Sequence, residues 1–173
     1  MSQFHGEFDC KLDPKGRLMM PAGLRKQLPI EAQNKFMMNR GFENCIVLYP
    51  INEWNKIIAD VNELNDYIKK NRDFARQFHR GATELEMDAT GRILLPKRML
   101  DFAGIDKDLI VAPRNNKIEI WNPEKYEALF TNTSEDFETQ AEEVMGKNRI
   151  NKNNTREVSW TGAAARVYWS TRY

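Results

Sequence analysis

The stretch DPKGRLMMP at positions 13–21 is similar to the stretch DATGRILLP at positions 88–96. The offset between the copies is 75 residues (13 to 88 and 21 to 96), and an alternating apolar segment precedes each copy. A short amphipathic stretch follows each copy, and the similarity returns at residues 46–49 and 118–121. Three similar segments in the same order indicate that one unit has been duplicated.

Each copy has the pattern of a hairpin, a short helix, a second hairpin and a longer helix. In the first turn Pro14 presets φ, Gly16 tolerates the exit from the turn, and Asp13 can accept hydrogen bonds from the backbone amides ahead of it. The second copy keeps the aspartate and the glycine as Asp88 and Gly91 but has no proline. Both copies are therefore expected to form a tight turn at this point.

The second half of each copy is expected to contain a hairpin that turns at residues 40–41 and at residues 115–116. Apolar residues at helical spacing follow each hairpin, with Asn52 and Asn122 as the expected N-caps of the two helices. A further helix is expected from residue 134 to about residue 145. These apolar stripes are interpreted as core packing.

The chain is expected to divide into three parts. Residues 1–75 form a first repeat with connecting helices, residues 76–146 a second repeat with a C-terminal helix, and residues 147–173 a polar, flexible tail.

The net charge is only +1, but basic residues concentrate between Lys69 and Arg80 and after residue 146, whereas residues 119–143 are acidic. This polarity permits a basic face for an anionic partner, although charge runs are more often solvated surface.

The composition excludes several classes of protein. The 173 residues are 41% hydrophobic and 29% charged, the apolar runs are only a few residues long, and the N-terminus has no apolar segment of the kind found in signal peptides. A cytoplasmic protein without membrane contact is therefore expected. The two cysteines are interpreted as small buried hydrophobes, and with two histidines they are too few for a metal cage, so no metal or cofactor is expected.

The chain also lacks the residue patterns of a catalytic site. Asp13 and Asp88 are each followed four residues later by an arginine, which favours the charged carboxylate over a poised acid. No Ser-His-Asp order and no phosphate-binding glycine loop is present. We therefore expect no catalytic residues and no small-molecule substrate.

The sequence resembles the MraZ family of transcriptional regulators. The family signature is an Asp-x-x-x-Arg element in each half, which Asp13/Arg17 and Asp88/Arg92 match here. The resemblance extends from about residue 4 to residue 130, more weakly to residue 145, and does not include residues 146–173. Four segments carry it: FHGE at 4–7, DPKGRL at 13–18, VLYPINEW at 47–54 and MDATGRIL at 87–94.

This resemblance implies an α+β fold in which two tandem AbrB-like repeats form an intertwined swapped-hairpin β-barrel with flanking α-helices. It also implies a sequence-specific DNA-binding transcriptional regulator of the division and cell-wall gene cluster. Such a protein binds direct repeats upstream of its own gene, assembles into a ring-shaped homo-oligomer and is associated with the nucleoid.

The arginines of the signature are the first candidates for DNA contact. A guanidinium suits a phosphate or the O6 and N7 atoms of guanine, and Lys15 at the loop tip suits a phosphate. Asp13 and Asp88, with Gly16 and Gly91, are expected to shape the turns and orient the arginines. The chemistry alone equally allows surface ion pairs worth at most about 1 kcal/mol, and the resemblance favours DNA contact. The expected DNA-binding residues are Lys15, Arg17, Arg92, Arg25, Lys26, Lys97 and Arg98.

A protein-interaction module is the alternative function. Antitoxins share this type of hairpin barrel and carry a dedicated toxin-binding tail, a role for which residues 146–173 are available. The duplication within one chain and the long helices between the halves resemble MraZ instead.

Overall fold

The computed structural model describes residues 3–131 and 137–145 of the chain. The chain divides into two compact units, Met1–Ala128 and Leu129–Tyr173. The described strands all belong to the first unit, and residues 137–145 of the second unit are helical. The expected helix is thus present over 137–145, while residues 134–136 and the tail at 147–173 lie outside the described residues.

Both repeats share the order of two strands, a short helix, two strands and a longer helix, and the first repeat has in addition a 3-10 turn and a second long helix. The first repeat contains β1 (Phe8–Lys11), β2 (Arg17–Met19), α1 (Ala22–Arg25), a 3-10 turn (Ile30–Ala32), β3 (Lys35–Arg40), β4 (Ile46–Pro50), α2 (Ile51–Asn62) and α3 (Lys69–His79). The second repeat contains β5 (Thr83–Glu86), β6 (Arg92–Leu94), α4 (Lys97–Ala103), β7 (Asp108–Arg114), β8 (Lys117–Trp121) and α5 (Pro123–Thr131).

The strands of the two repeats are intertwined. β3 pairs with β4 and β7 with β8, which are the second hairpins of the repeats. All other ladders cross between repeats, since β1 pairs with β7, β2 with β6, β3 with β5 and β4 with β8. Neither repeat can therefore form its described set of ladders without the other.

The expected α+β fold with two tandem, intertwined repeats is confirmed, and the described strands form an open sheet and a ribbon that do not close into a complete barrel. The described strands form a six-stranded antiparallel sheet in the order β1-β7-β8-β4-β3-β5 and a separate two-stranded ribbon, β2-β6. The edge strands β1 and β5 do not pair with each other. To close the sheet, the ribbon would have to form ladders with both β1 and β5, but β2 and β6 have only three residues each. Among the described residues, β2 joins the β1 side only through the single bridge between Leu12 and Leu18, and β6 forms no ladder with β5.

The core lies on the face of the sheet that the ribbon covers, and both repeats contribute to it. Leu18 of β2 and Ile93 of β6 are directly paired, and both are 0% exposed. Burial of a side chain of this size contributes about 1.5–3 kcal/mol. A smaller cluster on the other face contains Trp121 and Cys45. Burial raises the pKa of the Cys45 thiol to about 12, so this cysteine is a protonated, unreactive part of the packing.

The helix caps agree with the sequence in one case and differ in the other. Asn122 Oδ1 accepts a hydrogen bond from the backbone N–H of Lys125 at 3.1 Å, as expected of an N-cap. The expectation for Asn52 is wrong, because α2 already begins at Ile51 and Pro50 occupies the cap position. Pro50 has φ −51° and ψ 141°, so its ψ lies outside the helical range, and the helix starts directly after β4 at Ile51.

A buried carboxylate joins α2 to the β7–β8 turn. Glu53 is 2% exposed, and its Oε2 accepts a hydrogen bond from Asn116 Nδ2 at 3.0 Å while its Oε1 accepts one from Lys56 Nζ at 2.8 Å. Burial opposes ionisation, but the bonds from Lys56 and Asn116 outweigh it and lower the pKa of Glu53. This carboxylate therefore links the first repeat to the second hairpin of the other repeat.

We expect Glu53→Ala to lower the free energy of unfolding by about 1–3 kcal/mol at neutral pH, because the half-buried amide of Asn116 loses its acceptor and the contact between α2 and the β7–β8 turn is lost. Folding lowers the pKa of Glu53, so its contribution is complete above the unfolded value of about 4.3 and is lost as the pH falls through the folded value. Urea denaturation at neutral and progressively lower pH measures this, and the difference from wild type should shrink towards acid. Glu63→Ala, which removes an exposed carboxylate just after α2, is the control; equal midpoints for both variants would contradict the role of Glu53.

Candidate nucleic-acid interface

The two duplicated turns have the same backbone geometry. In the first, the N–H of Gly16 donates to the carbonyl of Asp13 and the N–H of Asp13 donates to the carbonyl of Arg17, both at 2.9 Å. Gly91, Asp88 and Arg92 repeat both bonds at 2.9 Å. The two glycines have φ of 79° and 88°, in the left-handed region where a side chain is strained. Glycine adopts this conformation without strain, which favours it at this position in both turns.

The carboxylate of Asp13 holds both the turn and the arginine. Its Oδ1 accepts hydrogen bonds from the backbone N–H groups of Lys15 and Arg17 at 2.9 Å, and its Oδ2 accepts one from Arg17 Nε at 2.6 Å. The backbone N–H of Arg17 makes the largest contribution to lowering the pKa of Asp13. Asp13 is therefore ionised at neutral pH, and the guanidinium is fixed through Nε, which leaves its two terminal nitrogens for a second acceptor.

The second turn repeats this arrangement with one difference. Asp88 Oδ1 accepts hydrogen bonds from the N–H groups of Thr90 and Arg92 at 2.9 and 3.0 Å, and Oδ2 accepts one from Arg92 Nε at 3.2 Å. The Thr90 hydroxyl also donates to Oδ1 at 2.6 Å and is the largest cause of the lowered pKa of Asp88. Thr90 thus faces inward onto the carboxylate where the first turn has the cation of Lys15. The two turns present different charges to a ligand.

The β2–β6 ribbon places the two arginines on one rigid element. Arg17 lies opposite Leu94 and Met19 lies opposite Arg92, with the buried Leu18–Ile93 pair between them. Because side chains alternate along a strand, these four residues share the outward face, which we call the ribbon face. The Arg17 and Arg92 side chains are 28% and 32% exposed, so both remain open to a ligand while they are held by their aspartates.

The remaining predicted DNA-binding residues lie at different distances from the turns. Lys15 is exposed at the tip of the first turn, and Lys97 lines a surface cavity with Lys15, Gly16 and Leu94. Lys97 also pairs with Asp101, with its Nζ at 3.2 Å from Oδ1.

Arg25 and Arg98 have neighbours that the sequence did not indicate. Arg25, from the first repeat, lies against the second turn: a Cβ built on Gly91 would be 2.5 Å from its Nη1. Lys26, the next residue, is exposed. Arg98 lies near Arg40, whose pKa is lowered by burial, then by Arg80 and then by Arg98.

Sequence reasoning missed Arg40 as a notable residue. Its guanidinium carbon lies 4.7 Å from the ring centroid of Phe102, and its buried Nε has no hydrogen-bond acceptor among the described residues. The sequence predicted a hairpin turn at residues 40–41, but Arg40 is the last residue of β3, and no local pattern marks its guanidinium. Its neighbours are Phe102 and Arg98 of α4 in the other repeat and Arg80 and Gly81, which lie between α3 and β5.

In residues 3–131 and 137–145 no group of three or more histidine, cysteine, aspartate or glutamate side chains is placed to hold a metal ion. In the same residues no helix is both long enough and apolar enough to cross a bilayer.

The fold and the site together define a class: a tandem-repeat protein whose intertwined halves present two aspartate-anchored arginines on a two-stranded ribbon. The family model described as MraZ protein, antitoxin-like, matches residues 3–77 and again residues 78–148. The chain belongs to the MraZ family.

Individual relatives agree with this assignment over most of their length. The transcriptional regulator MraZ of Christiangramia forsetii is 46% identical over 142 residues, which are 82% of this chain and 92% of that protein. The transcriptional regulator MraZ of Flavobacterium psychrophilum is 44% identical over 147 residues, 84% of this chain and 94% of that protein. The transcriptional regulator MraZ of Natranaerobius thermophilus is 39% identical over 142 residues, 82% of this chain and 96% of that protein.

Proposed function

We propose that this chain is a sequence-specific DNA-binding transcriptional regulator that contacts duplex DNA through its two duplicated turns. The observation that carries the proposal is the pair of arginines fixed by Asp13 and Asp88 on a single ribbon. An anchored guanidinium loses little conformational entropy on binding, and its free fork suits guanine O6 and N7 or a phosphate. The names of the relatives support regulation of transcription.

The proposed contacts divide into base-reading and phosphate-binding residues. Arg17 and Arg92 read bases, and Lys15 binds a phosphate at the tip of the first turn. Further phosphate contacts come from Arg25, Lys26, Lys97 and Arg98. Arg25 is well placed for this role because it extends the cationic surface of the second turn, where Thr90 supplies no charge. The two turns then contribute unequally but both remain part of the interface.

The proposed targets are direct repeats upstream of the protein's own gene, within the division and cell-wall gene cluster. A chain with a net charge of +1 and few basic loops binds one such repeat weakly. Assembly into a ring presents several ribbons to repeated DNA elements, and such linkage raises avidity by roughly 10²–10⁴ without new contacts. We place this activity in the cytoplasm, on the nucleoid, and assign the chain no catalytic step.

Binding of the purified full chain to the upstream region of its own gene, against scrambled DNA of equal length, tests this function. We expect a preference of about 10³-fold or more for the upstream region, and affinity for both DNAs that falls steeply with salt. Equal affinity for the two DNAs would overturn sequence-specific regulation. It would leave a protein-interaction module, related to antitoxins, as the better function.

Lys15→Ala should weaken binding to upstream and scrambled DNA by a similar factor. A lysine on a phosphate releases counterions without reading bases, so the slope of log affinity against log salt should fall by about 1. Fluorescence anisotropy over a salt series measures both quantities. The matched control is Lys70→Ala, which removes an exposed lysine from α3 and should leave the slope unchanged. Loss of upstream binding alone, with scrambled DNA unaffected, would assign base reading to Lys15.

A further inference from the structure

The ribbon face carries two apolar side chains that its proposed arginine contacts do not explain. Met19 is 48% exposed and Leu94 is 56% exposed, whereas their strand neighbours Leu18 and Ile93 are fully buried. A single exposed apolar side chain is ordinary on a protein surface. Here there are two, each directly opposite an arginine, so that arginine and apolar residues alternate across the ribbon face.

We propose that Met19 and Leu94 contact the methyl groups of thymine bases in the major groove, so that the ribbon face reads thymine as well as guanine. This inference rests on the proposed DNA-binding function and adds a second kind of base contact to it. An antiparallel two-stranded ribbon fits the major groove, which is about 12 Å wide. Residues on its outward face then meet base edges.

The chemistry of the groove selects the target of these side chains. Base edges in the major groove present hydrogen-bond donors and acceptors, and the C5 methyl of thymine is the apolar group among them. An apolar side chain placed against a donor or acceptor would strip it of water without replacing the hydrogen bond. Placed against a thymine methyl, it buries apolar surface on both sides.

The spacing on the ribbon matches the spacing of bases. Residues two apart on one strand are about 6.6 Å apart, and residues directly opposite are about 5 Å apart at Cβ. Successive base pairs rise about 3.4 Å, so each apolar side chain lies within one or two base steps of an arginine. The site should contain thymines one or two steps from guanines, in two sets related by the internal repeat.

The charge around the apolar residues favours a polyanion as the occupant. Leu94 lines a surface cavity together with Lys15 and Lys97, and Met19 lies opposite Arg92. If the ribbon faces of two copies of this chain packed symmetrically against each other, the cations of one copy would lie close to the same cations of the other and repel them. Duplex DNA meets these cations favourably instead, with phosphates at Lys15 and Lys97 and a base edge at Arg92.

Replacement of thymine by deoxyuridine, which lacks only the methyl group, tests the inference directly. In the upstream repeat that binds wild type, thymines are replaced one position at a time and affinities are measured for the full chain. We expect about a fourfold loss at the positions that Met19 and Leu94 contact, the effect of one buried methyl group. Met19→Ala should bind the thymine repeat more weakly than wild type does. At the positions that Met19 contacts, this variant should bind thymine and deoxyuridine repeats with equal affinity. Leu94→Ala should lose the affinity difference between thymine and deoxyuridine at the positions that Leu94 contacts.

The control is Ile30→Ala, which removes an apolar side chain that is 92% exposed and lies outside the ribbon. It should keep the full thymine preference. Wild type that binds thymine and deoxyuridine repeats equally, while still preferring them to scrambled DNA, would overturn this inference and leave the proposed function standing. Wild type without any preference for the repeats would remove both. If Met19→Ala changes the oligomer size in light scattering and keeps the thymine preference, the residue belongs to an interface between copies and the inference is overturned.

Discussion

Arg17→Ala and Arg92→Ala are each expected to weaken binding to the upstream repeats by about 10- to 100-fold, because a bidentate arginine–guanine contact contributes about 1–3 kcal/mol of discrimination. Binding to scrambled DNA should fall much less, because it depends on phosphate contacts. The aspartates strengthen this expectation. Each guanidinium is already oriented through its Nε, at 2.6 Å from Asp13 or 3.2 Å from Asp88, so little further ordering is needed on binding.

Arg17→Lys distinguishes the effect of the oriented guanidinium on DNA binding from the effect of the positive charge. Arg17→Lys keeps the positive charge but loses the planar fork that binds Asp13 and a base edge at the same time. We expect it to retain salt-dependent binding to scrambled DNA and to lose most of the preference for the repeats. Arg76→Ala, which removes an exposed arginine from α3, is the control for charge alone. If Arg17→Ala and Arg92→Ala bind the repeats as tightly as Arg76→Ala does, Arg17 and Arg92 do not read bases.

Leu18→Ala and Ile93→Ala are each expected to lower the free energy of unfolding by about 2–5 kcal/mol, since each removes a fully buried side chain and leaves a cavity. These residues are paired in register on the inner face of the ribbon. Neighbours that share a cavity do not behave independently, so the double variant should not show the sum of the single effects. Urea denaturation followed by far-UV circular dichroism measures all three variants.

The outward neighbours provide the control for this prediction. Met19→Ala and Leu94→Ala change the same two strands on the exposed face and should alter stability by less than about 0.5 kcal/mol. Both repeats should unfold in one transition, because β1, β2, β3 and β4 each pair with a strand of the other repeat. Two separate transitions that are affected differently by Leu18→Ala and Ile93→Ala would contradict the interdependence of the repeats.

The turn and its arginine were predictable because all their partners lie within four residues. Asp13 bonds to Lys15 and Arg17, and Asp88 bonds to Thr90 and Arg92, so the motif itself contains the donors and the acceptor. The same locality explains why Asn122 was correctly interpreted as a cap. Asn52 was misplaced because a polar residue near a helix start resembles a cap, whereas Pro50, with ψ of 141°, is the last non-helical residue and Ile51 is the first helical one.

The sequence by itself determined the duplication, the order of elements and the turn chemistry, since these depend on residue types at short and repeated spacings. The tertiary structure alone decided which strands pair between repeats and that the sheet does not close. It also decided that Arg25 meets the turn at Gly91 and that Glu53 binds Asn116. These contacts join residues more than 60 positions apart. Many registers satisfy the same local pattern, and the shared burial of both repeats in one core selects among them.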